Sequence, residues 1–155
     1  MSTKTQTLDH EAVGAYLRGR LPGFDSDFEV VKFQTGQSNP TFMLKTTQGN
    51  YVLRRKPPGV LLKSAHAVDR EFRVQKALAD TEVPVAKMHL LCEDDDVIGS
   101  AFYVMDHVAG RNLTDPRMPD SDPQSRAAVV DEMSRVLASL HQVDIDAVGL
   151  ADYGP

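Results

Sequence analysis

A chain of 155 residues with 41% hydrophobic and 25% charged content has the composition of one soluble globular domain. Its net charge of −5, with acids and bases interspersed, speaks against non-specific DNA or RNA binding, which needs a basic surface. No apolar run nears the roughly 20 residues of a membrane helix, Met1 to Asp9 has no signal-peptide core, and the single cysteine, Cys92, excludes an internal disulfide, so we expect a cytoplasmic protein away from membranes.

In chain order, Asp9 is placed to cap a first helix whose Val13, Leu17 and Leu21 share one stripe, with Pro22-Gly23 ending it. Phe28 to Thr35, rich in Phe and Val, predicts a strand, and Gly36 to Pro40 a turn. Thr41 to Thr46 is a second strand, Gln48-Gly49-Asn50 a hairpin turn and Tyr51 to Arg55 a third strand, together an antiparallel meander. Pro57-Pro58-Gly59 breaks the pattern. Ser64 then precedes a helix over 67–79 with Val68, Phe72, Gln75 and Leu78 near one face.

Lys87 to Glu93 and Ser100 to Met105 read as strands four and five, joined by Asp94-Asp95-Asp96 as a solvated hairpin tip. Cys92, beside Leu90 and Leu91, is expected to be a buried structural thiol. Gly110 to Asp122 is a polar linker. Asp122-Pro123 places an N-cap before proline in the first helical position, opening an amphipathic helix to His141. Val143 to Pro155 shows no clear element. The histidines, at 10, 66, 89, 107 and 141, lack metal-ligand spacing, and the aspartate run lacks a calcium-loop pattern. We therefore assign no metal ligand and give the histidines structural or surface roles.

Four segments, Gly36-Gln37-Ser38-Asn39, Tyr51 to Gly59, Ser64 to Val74 and Tyr103 to Gly110, are spread across residues 28–113. As a set they resemble the kinase fold in its aminoglycoside-phosphotransferase-like branch, and within it the phosphotransferase domains associated with acyl-CoA dehydrogenases. The resemblance implies an α+β fold: a protein-kinase-like N-terminal lobe, with a five-stranded antiparallel sheet and one inserted helix, plus a linker and the first helix of a C-terminal lobe. The organisation expected is an N-terminal helix over 1–24, a nucleotide-binding small lobe over 25–110, and linker and second-lobe start over 111–155.

The same resemblance implies a site for ATP with Mg2+. Backbone N–H groups of a glycine turn can cover phosphate oxygens, which would engage Gly36, Gln37, Ser38 and Asn39; alone, such a turn is an ordinary hairpin. Kinases place a base on the third strand for the phosphates, and alignment on Tyr51-Val52-Leu53-Arg54 favours Arg54, with Val52 on the same face over the adenine. Arg55 is the rival by one register step. Glu71 on the inserted helix is the partner for that base, though Asp69-Arg70-Glu71-Phe72-Arg73 also reads as a solvated helix face. Met105 would lie at the back of the adenine pocket, with the backbone of Asp106 and Val108 bonding the adenine edge.

No His-Gly-Asp segment occurs, and Asp144 and Asp146 do not match the family's catalytic motif, so no catalytic residue is assigned; Mg2+ ligands are expected in a C-terminal lobe beyond these residues. The expected function is the nucleotide-binding portion of an ATP-dependent phosphotransferase acting on a hydroxyl of a small molecule, hydroxyacyl-CoA being one candidate, and catalytically incomplete by itself. The alternative is a non-catalytic stand-alone nucleotide- or protein-binding module. The apolar stripe of the helix over 123–141, left unpacked, predicts a homodimer.

Overall fold

The computed structural model describes residues 7–34, 39–57 and 67–154. They divide into two compact units, Met1–Lys76 with Ala86–His107, and Ala77–Val85 with Val108–Pro155. The first holds α1 (His10–Leu17), β1 (Glu29–Lys32), β2 (Thr41–Thr46), β3 (Gly49–Arg55), β4 (Met88–Cys92), α3 (Asp95–Ile98), β5 (Phe102–Asp106) and most of α2 (Val68–Ala77). Its five strands form one antiparallel sheet in the order β1-β2-β3-β5-β4. The expected meander and the helix inserted after the third strand are both present.

Strand alternation gives the sheet two different faces. Phe42, Leu44, Tyr51, Leu53, Phe102 and Val104 point to one and close over Val13 and Leu17 of α1, with Phe24 and Cys92 completing a buried cluster. On the opposite face Tyr103 packs with Val68 at the start of α2, and Phe72, Met88, Leu91 and Met105 flank them. The second cluster is smaller and its edges are only partly buried, so this face is open where the first is sealed. In β4 the register steps from Met88↔Met105 to Leu90↔Val104, which leaves His89 as the extra residue of a bulge.

β1 is shorter than expected, and Gly49 and Asn50 belong to β3 rather than to the hairpin turn; two further elements differ in kind. Helix α1, capped by Asp9 Oδ1 accepting from the Ala12 N–H at 3.0 Å, ends at Leu17 rather than at Pro22. The backbone N–H groups of Arg20 and Leu21 turn back to the Leu17 carbonyl, and Gly19 takes a left-handed conformation at φ 72°. Leu21 reaches the core through this turn rather than through the helix. The aspartate run is not a simple hairpin tip. Asp94 Oδ1 accepts from the Asp96 N–H at 2.9 Å and starts the single turn α3, which Gly99 closes at φ 82°, and Val97 and Ile98 of that turn pack on the core. The cap pair Asp94 and Gly99 was the available signal.

In the other unit, α4 spans Pro123–His141, with Asp122 Oδ1 accepting from the Ser125 N–H at 2.8 Å. Its Val130, Met133, Leu137 and Leu140 are exposed. Among the described residues no helix is long and apolar enough to cross a membrane.

Gly23 and Gly19 both have positive φ, but only at Gly23 would an added Cβ overlap a neighbour, the Thr46 side chain. Gly19→Ala should cost about 1–2 kcal/mol for its left-handed backbone alone. Gly23→Ala should cost about 1–3 kcal/mol more, from the overlap. Urea unfolding of the two variants checks this, and equal losses would contradict the packing described.

Candidate functional site

The open face of the sheet carries a closed ring of polar contacts. Arg54 of β3 donates to Glu71 of α2 through Nε to Oε2 at 2.7 Å and through Nη2 to Oε1 at 3.3 Å. Its Nη1 donates to Thr41 Oγ1 at 3.1 Å, and Thr41 Oγ1 donates to the Asn39 carbonyl at 3.0 Å. Asn39 Nδ2 closes the ring by donating to Glu71 Oε1 at 3.0 Å. From β5, the Tyr103 hydroxyl donates to Glu71 Oε2 at 3.0 Å. Each carboxylate oxygen of Glu71 thus accepts two hydrogen bonds, which uses its four lone-pair positions.

Sheet register brings these groups together. Thr41 and Tyr103 are the two cross-strand partners of Arg54, and cross-strand pairs on one face are close enough to interact. Val52, two residues before Arg54, lies on the same face between Met43 and Met105. Valine and methionine there form an apolar strip beside the charged ring. At the strand end the Asp106 N–H donates to the Lys87 carbonyl at 2.9 Å, and the His107 N–H to the Asn50 carbonyl at 3.2 Å. The Asp106 C=O, which shares the direction of its own N–H, therefore faces the β4 edge.

Arg55 goes to the other face. It is 4% exposed, lies over the Phe42 ring at 5.8 Å and donates from Nη1 to the Ile98 carbonyl at 3.4 Å. Burial pushes its pKa down. Burial also pulls on Arg54, but there the hydrogen bond and charge of Glu71 prevail and hold the guanidinium above its ordinary value. Tyr103 is pushed up to about 12, first by burial and then by the charge and hydrogen bond of Glu71.

Of the residues singled out from the sequence, Asn39, Arg54 and Glu71 meet in the ring, and Val52 and Met105 flank it. The Asn39 amide is directed to Glu71. Val108 is 70% exposed and belongs to the second unit. Gly36, Gln37 and Ser38, like Ser64, lie outside the described residues. Thr41 and Tyr103 were missed. Alternation puts Tyr103 on the face of Met105, but only the cross-strand register brings Thr41 and Tyr103 to Arg54.

A sequence profile described as the phosphotransferase enzyme family matches residues 29–155, and the chain belongs to that family. Similar curated proteins include "Probable acyl-CoA dehydrogenase IBR3" of Arabidopsis thaliana, 48% identical over 155 residues, and "Acyl-CoA dehydrogenase family member 11" of Rattus norvegicus, 47% identical over 151 residues. Each alignment covers 95% of this chain and 19% of the relative, so the chain spans about a fifth of the length of these proteins. The crystal structure of a "putative aminoglycoside phosphotransferase" from Ralstonia eutropha JMP134 superposes with a TM-score of 0.79 at 49% identity, over 96% of this chain and 43% of that one. The sheet with its inserted helix is a kinase-like N-terminal lobe.

The buried phenol gives a prediction with a defined sign. An unfolded tyrosine ionises at 10.0 and folded Tyr103 at about 12, so between those values the native state holds a proton that the unfolded state releases. The stability contributed by Tyr103 is complete below pH 10 and lost as pH rises to about 12. Alkaline titration of phenolate absorbance should show a late step that Tyr103→Phe removes. A Tyr103→Phe curve identical to that of the parent chain would count against the Glu71 contact.

Proposed function

We propose that this chain is the nucleotide-binding portion of an ATP-dependent phosphotransferase that acts on a hydroxyl of a small molecule. The observation that carries the reading is the arginine–glutamate pair on the open face of the sheet. Three of the five guanidinium N–H groups are engaged by Glu71 and Thr41, which leaves one N–H on each terminal nitrogen for a ligand. In our reading these two N–H groups take phosphate oxygens. The adenine lies over Val52 and Met105, its edge meets the backbone of Asp106 and Val108, and Gly36 to Asn39 cover the phosphates. Arginine suits this task because its planar fork chelates phosphate while its charge persists at any working pH.

The proposed acceptor is a hydroxylated metabolite of the hydroxyacyl-CoA class rather than an aminoglycoside, a choice supported by the acyl-CoA dehydrogenase names of the curated relatives. Among the described residues no three metal-ligating side chains gather. The sequence has no His-Gly-Asp segment, and in our reading this chain by itself binds ATP without transferring its phosphate.

The two neighbouring arginines provide the test. By calorimetric titration with ATP, Arg54→Ala should weaken binding by about tenfold or more, the equivalent of one charge-assisted contact. Arg55→Ala should lower thermal stability yet bind within about threefold of the parent chain, because its guanidinium is on the sealed face. No binding of ATP by the parent chain, or equal losses in both variants, would overturn the reading.

A further inference from the structure

His89 occupies the bulge of β4, and bulges re-aim a side chain that regular alternation would place elsewhere. Here the ring turns onto the sealed face and meets the last residue of β5. Its Nε2 is 2.6 Å from Asp106 Oδ1, and its side chain is 15% exposed. A carboxylate oxygen accepts, so the imidazole donates from Nε2. The Tyr51 ring stands edge-on to the imidazole at 5.3 Å, and its hydroxyl donates to the Pro22 carbonyl at 3.2 Å. Tyr51 is also the cross-strand partner of Asp106.

Asp106 is therefore held from two sides. Its N–H is bonded to the Lys87 carbonyl, two residues before the bulge, and its carboxylate to His89 within it. The next residue is tied to β3 through the His107 N–H. This fixation falls at the end of the sheet, on the residue whose carbonyl faces the β4 edge.

We propose that His89 is a positioning residue for recognition of the nucleotide base: by holding the Asp106 carboxylate, it fixes the Asp106 backbone carbonyl at the angle that accepts the exocyclic amine of adenine. The inference rests on the nucleotide reading above and extends it to a residue on the opposite face of the sheet, which no nucleotide would touch. The ligand class selected is a base with an amine donor at that edge. The contact requires a donor at Nε2 and the reach of an imidazole, which glutamine reproduces and leucine does not.

The test compares His89→Leu and His89→Gln with the parent chain, using ATP and inorganic tripolyphosphate as calorimetric probes and hydrogen exchange at the Asp106 and His107 amides. His89→Leu should weaken ATP binding by about tenfold while tripolyphosphate changes by less than about twofold, since only the base depends on Asp106. His89→Gln should bind ATP within about threefold of the parent. Exchange at both amides should accelerate by about tenfold in His89→Leu, with the Leu53 amide unaffected. Parallel loss of ATP and tripolyphosphate would indicate a structural effect and overturn the inference, as would unchanged exchange at Asp106. If the parent chain binds neither probe, the nucleotide reading fails and base positioning with it, while the exchange data still decide whether His89 holds the strand end.

Discussion

Saturation of the Glu71 carboxylate is the constraint on which the open face depends. An ion pair that is partly buried contributes little net stability, because desolvation offsets much of the Coulomb attraction. Its effect here is positional. Four donors from three residues, Asn39 in a loop, Arg54 on β3 and Tyr103 on β5, converge on two oxygens. Glu71 cannot rotate without breaking the hydrogen bonds that the buried Asn39 and Tyr103 donate to it, and the loss of such a bond costs more than the bond itself contributes. The start of β2, the end of β3, α2 and β5 are thereby fixed to one point.

An arginine at position 54 suits this ring better than a lysine would. A lysine ammonium offers three donors on a flexible stem. It could meet Glu71 and Thr41, but it would then have one donor left. The guanidinium satisfies both and keeps two. Its neighbour Arg55 shows how environment rather than residue type decides the role. One register step sends it to the sealed face, where burial lowers its pKa and a backbone carbonyl and an aromatic ring receive it. A slip of one residue in β3 would exchange the two arginines and every other side chain of the strand. The apolar pattern of Tyr51 and Leu53 against the α1 cluster prevents it.

Much of this was readable from the sequence because it rests on short-range pattern. Period-two alternation identified β2 and β3 and put Val52 on the face of Arg54, while Arg55 stayed a rival by one register step, and Asp9 and Asp122 marked helix starts that the structure reproduces. What escaped was of two kinds. Caps one turn apart were overlooked where charge suggested a solvated tip, as at Asp94 and Gly99. Long-range register was not visible at all: nothing local to Thr41 or Tyr103 indicates that β2 and β5 will flank Arg54. The β4 bulge escaped for the same reason, since His89 differs from a regular strand residue only relative to its partner. Asn39 was noticed for a turn backbone, whereas its side chain serves the carboxylate.

The ring members 39, 41, 54, 71 and 103 all belong to the first compact unit. The arrangement of the guanidinium is therefore a property of this unit's own sheet and helix and does not wait on a neighbouring one. In the nucleotide reading proposed above, a fork held in place before the ligand arrives would lose less rotamer freedom on binding. The sealed face provides the rigidity, with the α1 cluster fixing the strands from behind. The open face, with its smaller cluster, leaves the charged ring within reach of solvent. The two faces thus divide the work: one supplies most of the apolar burial, and the other holds polar groups whose geometry that burial maintains.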